Sequence, residues 1–116
     1  MSTRSAIAKK DEFGNFVSIY CHFDGYPEHN GNILVNFYNT EEKVDELLSH
    51  GDASSINSTI EESVFYHRDR GEELSEPEHF HSLTEFINYF SDCEYFYIFE
   101  DNKWKCFNRN QRGFII

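Results

Sequence analysis

Residues 94–107 constrain the fold of this chain more than any other stretch. From Glu94 to Glu100 the side chains alternate, with Tyr95, Tyr97 and Phe99 on one side and Phe96 and Ile98 on the other. Asp101-Asn102 then turns the chain into Lys103–Phe107, where Trp104 and Cys106 oppose Lys103, Lys105 and Phe107. A period of two with turn residues between two runs is the mark of a β-hairpin. The chain must therefore build a sheet and find partners for its rings.

A second hairpin is expected at the other end. Ser5–Lys9 and Phe16–His22 are short extended runs, and Asp11–Asn15 between them contains Gly14 and Asn15, both suited to positive φ. In the second run Val17, Ile19 and Cys21 alternate with Phe16, Ser18, Tyr20 and His22, so one side should face the core.

Between the hairpins the period changes to that of helices. Asp24–Pro27 reads as a turn, and Ile33, Leu34, Phe37 and Tyr38 predict a short helix over 32–38. Asn39 or Thr40 can cap a second helix, with Val44, Leu47 and Leu48 as its buried stripe and Gly51 as its terminator. Ser82-Leu-Thr-Glu85 fits a capping box for a third, with Leu83, Phe86, Ile87 and Phe90 on one face. In the least readable stretch, 54–60 and 63–66 are candidate strands and 67–81 reads as a loop. Together these elements predict one α+β domain over residues 1–116, with a single antiparallel sheet built from the N- and C-terminal hairpins and about three helices packed on one face.

At 116 residues the chain can bury a core without staples, and twelve Phe and seven Tyr mean that rings dominate it. No apolar run is long enough to span a bilayer, and residues 1–6 lack the apolar stretch of a secretory signal. Cys21, Cys93 and Cys106 form an odd set without a Cys-x-x-Cys pair, which fits reduced thiols. A cytoplasmic location is expected.

The net charge of -11 is regional: residues 41–101 hold seventeen acids against Lys43, Arg68 and Arg70, whereas 102–116 hold four bases and no acid. Such a surface repels membranes and nucleic acid and attracts basic grooves. Its candidate docking residues are Glu41, Glu42, Asp45, Glu46, Glu61, Glu62, Glu72, Glu73, Glu76 and Glu78. The plainer reading is that these carboxylates keep an aromatic-rich chain in solution.

Other chemistry is thinly signalled. Adjacent Cys21 and His22 point to opposite sides of a strand, which counts against a nucleophile and base pair, and favours a buried thiol. His22 and Asp24 lie two apart and could act together as in a small hydrolase, although an Asx turn at Asp24 is the simpler account. His67, His79 and His81 with Glu76 and Glu78 lack the spacing of a metal site, and no cofactor is expected. Arg68-Asp69-Arg70 beside Tyr66 is a small basic spot that could hold phosphate, with ion pairing as the default. Lys103, Lys105, Arg109 and Arg112 with Trp104 come nearest to a basic stripe, on a chain too acidic to bind nucleic acid directly.

Met1–Ser5, Ile19-Tyr-Cys-His-Phe-Asp-Gly-Tyr-Pro27, Tyr38–Thr40 with Lys43-Val44, and Gly51-Asp52 before Ser54-Ser55 resemble a family of small uncharacterised proteins of tailed phages and prophages. The resemblance covers about the first two thirds of the chain. It implies a phage context and carries over no catalytic residues. Three functions follow as expectations. The first is a non-enzymatic inhibitor docking its carboxylates into a basic groove of a bacterial nuclease, restriction, polymerase or defence component. The second is a module sequestering a nucleotide-type signal between Thr3, Arg4, Ser5 and the loop carrying His22, Asp24 and Tyr26, with Arg4 on phosphate and Tyr26 on a base. The third is the His22 and Asp24 hydrolase.

Overall fold

The computed structural model describes residues 3–74, 76–108 and 114–115; Met1 and Ser2 of the opening motif, and Arg109 and Arg112 of the basic group, lie outside them. The two expected hairpins form. β1 (Ser5–Lys10) pairs antiparallel with β2 (Phe16–Cys21), and β6 (Tyr95–Glu100) with β7 (Lys103–Asn108). Asp101 and Asn102 adopt φ of 54° and 60°, the mirror-image turn that matches strand twist. At the first turn only Gly14 of the two candidates takes positive φ. Asp11 accepts from the N–H groups of Phe13 and Asn15, closing that turn with a single left-handed residue.

The hairpins join side by side through β1 and β6, which run parallel with Ile7 opposite Tyr97. The sheet is extended by β3 (Ala53–Ser55), β4 (Val64–Phe65) and β8 (Phe114–Ile115) into the order β4-β3-β2-β1-β6-β7-β8, while β5 (Glu78–Phe80) also pairs with β2. The α+β class and the single sheet hold. Its pairing is mixed, because β2 and β3 are parallel as well.

Helices cover both faces instead of one. Ile7, Ile19, Cys21, Tyr97 and Phe99 pack with Leu34 of α1 (Asn32–Phe37) and with Val44, Leu47 and Leu48 of α2 (Glu41–Ser49). Ala6, Ala8, Phe16, Phe96 and Ile98, which alternate with the first set, pack with Phe86 of α4 (Leu83–Tyr89) and with Phe90. The physical reason is the ring content of β6: both of its sides are apolar, so each needs cover. Phe16 stacks on Phe86 at 5.6 Å, and Phe86 meets Phe96 edge-on at 5.7 Å.

Caps fall where the residue types place them. Thr40 Oγ1 accepts from Lys43 N, Gly51 takes φ 76° after α2, and Ser82 Oγ accepts from Glu85 N. Glu85 Oε1 reaches back to the N–H of His81, one residue before the cap. The first helix starts at Asn32 as expected, and a π-helical turn over Pro27–Gly31 leads into it. The stretch 67–81 is not all loop: it holds part of α3 (Tyr66–Arg70) and all of β5. Asp69 fixes α3, taking the Phe65 N–H at 2.8 Å and two bonds from the Arg68 guanidinium, and Gly71 at φ 66° ends it.

Candidate functional site

α2 presents the acidic face. With Val44, Leu47 and Leu48 turned onto the sheet, Glu41, Glu42, Asp45 and Glu46 are left in solvent. Lys9 reaches up from β1 to Glu41 Oε1 and Asp45 Oδ1, each at 2.8 Å. Burial alone would lower the Lys9 ammonium; its bonds to Asp45 and Glu41 outweigh that and raise it. Among the described residues these two are the only members of the acidic set in a salt bridge.

Two shallow clefts flank the helix. One, of about 260 Å³, brings Glu46 and Lys43 against Thr59, Ile60 and Glu61. Beneath it the Tyr38 phenol donates to the Asn57 carbonyl at 2.8 Å; burial raises its pKa, with Glu46, Glu61 and Glu62 adding to the rise. The other, of about 270 Å³, joins Asp45 and Ser49 to Asp11 and Pro77. The belt thus runs from Glu61 and Glu62 across α2 to Asp11, with Glu76 next to Pro77 in the chain. Glu72 and Glu73 are exposed beyond α3. Glu78 is apart from this face: it follows the side of Ser18 and accepts from Tyr89 of α4 at 3.2 Å.

The loop carrying His22, Asp24 and Tyr26 does meet Thr3 and Ser5, but by direct contact. Gly25 N–H donates to the Thr3 carbonyl at 2.9 Å, and a Cβ at Gly25 would stand 2.8 Å from both the Thr3 oxygen and the Ser5 Cβ. Tyr97 Oη donates to the Gly25 carbonyl at 2.6 Å, and Asn30 Nδ2 donates to Ser5 Oγ and Cys21 Sγ. The gap expected between the N-terminus and this loop is closed by that packing. Cys21 is fully buried, and burial pushes its thiol up to about 11. Asp24, at φ 58°, accepts from Tyr26 Oη at 3.2 Å, while His22 Nδ1 meets Tyr20 Oη at 2.8 Å.

Arg4 and His22 instead belong to a cluster on the face opposite α2. Cys21 and Ala53 are paired and point into the α2 side, so Tyr20, His22 and Ser54 turn to the other. Tyr20 packs on the α4 side, and burial pushes its phenol up to about 12, opposed by the Arg4 cation and reinforced by Cys93, Asp92 and Tyr66. Arg70 lies over the Tyr66 ring at 5.2 Å and donates to Ser54 Oγ at 3.4 Å. Arg4 pairs loosely with Asp92 at 3.7 Å, and its buried Nε has no hydrogen-bond partner among the described residues. Tyr20, Ser54, Tyr66 and Arg70 were absent from the sequence-derived ligand set. For Tyr20 the signal was its period-two relation to His22; for Tyr66 and Arg70 it was the small basic spot.

No family model, no curated protein and no solved structure matches this chain. Among the described residues no helix is long and apolar enough to cross a membrane, and no three His, Cys, Asp or Glu side chains group as metal ligands.

Proposed function

We propose that this chain is a phage-encoded, non-enzymatic accessory protein that binds and inhibits a bacterial protein bearing a basic groove. α2 and its flanks act as an acidic docking face that imitates the charge of nucleic acid, in the host cytoplasm. The observation that carries this reading is the belt of exposed carboxylates from Glu61 and Glu62 across Glu46, Glu42 and Asp45, with Lys9 bridging Glu41 and Asp45 and no bridge at the rest among the described residues. On α2 four exposed carboxylates outnumber Lys43, and their net negative charge, with Glu61 and Glu62 beside it, sums to a field that steers cationic partners.

The test is capture from bacterial lysate, at low and high salt, by the chain and by its E42K/E46K/E61K/E62K variant. The reading expects a partner held by the native chain, released by salt and by competing duplex DNA, and lost by the variant. Equal retention by both chains, or a partner indifferent to salt and DNA, would overturn it.

A further inference from the structure

We propose that the end of the sheet formed by Arg4, Tyr20, His22, Ser54, Tyr66 and Arg70 binds a small phosphate ester carrying a planar ring, of mononucleotide size. This site lies on the opposite face from α2 and does not depend on the docking reading. The argument begins with where the cations stand. Arg4 precedes β1 and Arg70 ends α3, yet the sheet brings both to the same aromatic group. Asp52 takes the Tyr20 N–H on its carboxylate and the Tyr66 N–H on its carbonyl, which sets the two residues side by side, and Tyr66 carries Arg70 on its ring. Tyr20 and His22 are linked at 2.8 Å, and His22 meets Phe23 edge-on at 4.5 Å. Half-buried rings at the end of the sheet, with the exposed Arg70 and the half-exposed Arg4 at their rim, suit a flat base and its phosphate.

The polar groups have capacity for a ligand. The Arg4 Nε is buried, but its side chain is 42% exposed, so the terminal nitrogens of the guanidinium can take a phosphate oxygen. The Arg4 and Asp92 pair is 3.7 Å long and about half exposed on each side, so a dianion can displace it at little cost. Arg70 is exposed, and its contact with Ser54 Oγ is a long 3.4 Å.

Charge sets the size of the ligand. Asp52 and Asp92 border the cluster, and the whole chain carries -11, so a long polyanion meets repulsion over most of its length. A ligand with one phosphate can satisfy the two arginines without extending over the acids. Thr3, Ser5, Asp24 and Tyr26 take no part, being engaged in the closed packing around Gly25.

Backbone amide NMR titration of the full chain tests this, with the 5′-ribonucleoside monophosphates, the matching nucleosides, inorganic phosphate and a single-stranded oligonucleotide as probes. Monophosphates should shift the amides of residues 4, 20, 22, 54, 66 and 70, and bind more tightly than nucleoside or phosphate alone. Arg70→Gln and Arg4→Gln should each weaken binding about tenfold, the scale of one lost charged hydrogen bond. Tyr66→Phe should keep binding. Unfolding midpoints of the two arginine variants, near that of the native chain, would separate lost contact from lost fold. The proposal fails if no monophosphate shifts these amides, if both arginine variants bind like the native chain, or if the oligonucleotide binds more tightly than the monophosphates.

Discussion

Asp52 Oδ1 accepts the backbone N–H of Tyr20 at 3.0 Å, filling the gap on the outer edge of β2 between its pairing with β5, which ends at Ser18, and its pairing with β3 at Cys21. A side chain thus stands in for a missing rung of the ladder. Asp52→Ala leaves that N–H without its acceptor and should lower stability by about 1–3 kcal/mol, read from urea unfolding. Asp52→Asn keeps an acceptor and should recover most of the loss. Equal loss in both variants would mean that the charge matters, not the bond.

Tyr97→Phe should destabilise the chain by about 1–2 kcal/mol, since it strands the buried Gly25 carbonyl that Tyr97 Oη meets at 2.6 Å. Hydrogen exchange locates the effect: amides of the 22–27 loop should lose protection first. Uniform loss across the sheet would refute a local role.

Gly25→Ala should be more damaging than a surface Gly→Ala change, because its Cβ would press on backbone at Thr3 and on the Ser5 side chain, both at 2.8 Å. Thermal unfolding of the variant beside the native chain decides this. A native-like midpoint would show that the loop can lift away.

Acid should weaken the chain partly through Asp69. Its carboxyl is held below the ordinary aspartate value, first by the Arg68 guanidinium and then by the Phe65 N–H. A depressed folded-state pKa gives stability that is present above the unfolded value and lost as pH falls through the folded one. Asp69→Asn should therefore flatten the acid limb of a stability profile below the usual aspartate range. An unchanged limb would assign it to other carboxylates, Glu100 between Lys105 and Lys10 among them.

Thiol chemistry should report global opening. Cys21, Cys93 and Cys106 are all buried, and burial pushes Cys21 up to about 11 and Cys106 up to about 12. Alkylation in native buffer should be slow for all three and rapid in denaturant. Fast modification of one cysteine in the native chain would mark a local opening.

Elements whose signals are local could be read from the residues alone. The period of Tyr95–Glu100, the Thr40 and Ser82 caps and Gly51 each act within a few positions, and each lies where expected. What escaped depends on distant partners. β5 is a strand because Phe16–Ser18 offers an edge some sixty positions earlier, and Tyr66–Arg70 is helical because Asp69 clamps Phe65 and Arg68. Placement of α4 opposite α2 follows from the two apolar sides of β6, visible in its alternation but not assigned to cover. At the candidate sites, the acids of α2 were legible as exposed positions of an amphipathic helix. The Arg4 and Arg70 cluster was not, for it joins four segments, two of them through the parallel pairing of β2 with β3.

The parallel union of β1 with β6 carries a consequence for how the chain is made. β1 can pair with β2 as soon as the first hairpin leaves the ribosome, but its other edge has no partner until residues 95–99 have been synthesised. Through that interval Ala6, Ile7 and Ala8 line an open strand edge in the nascent polypeptide, so closure of the middle of the sheet is a late, long-range step. A translational pause between residues 21 and 95 would prolong the stage at which neighbouring nascent chains can join by that edge.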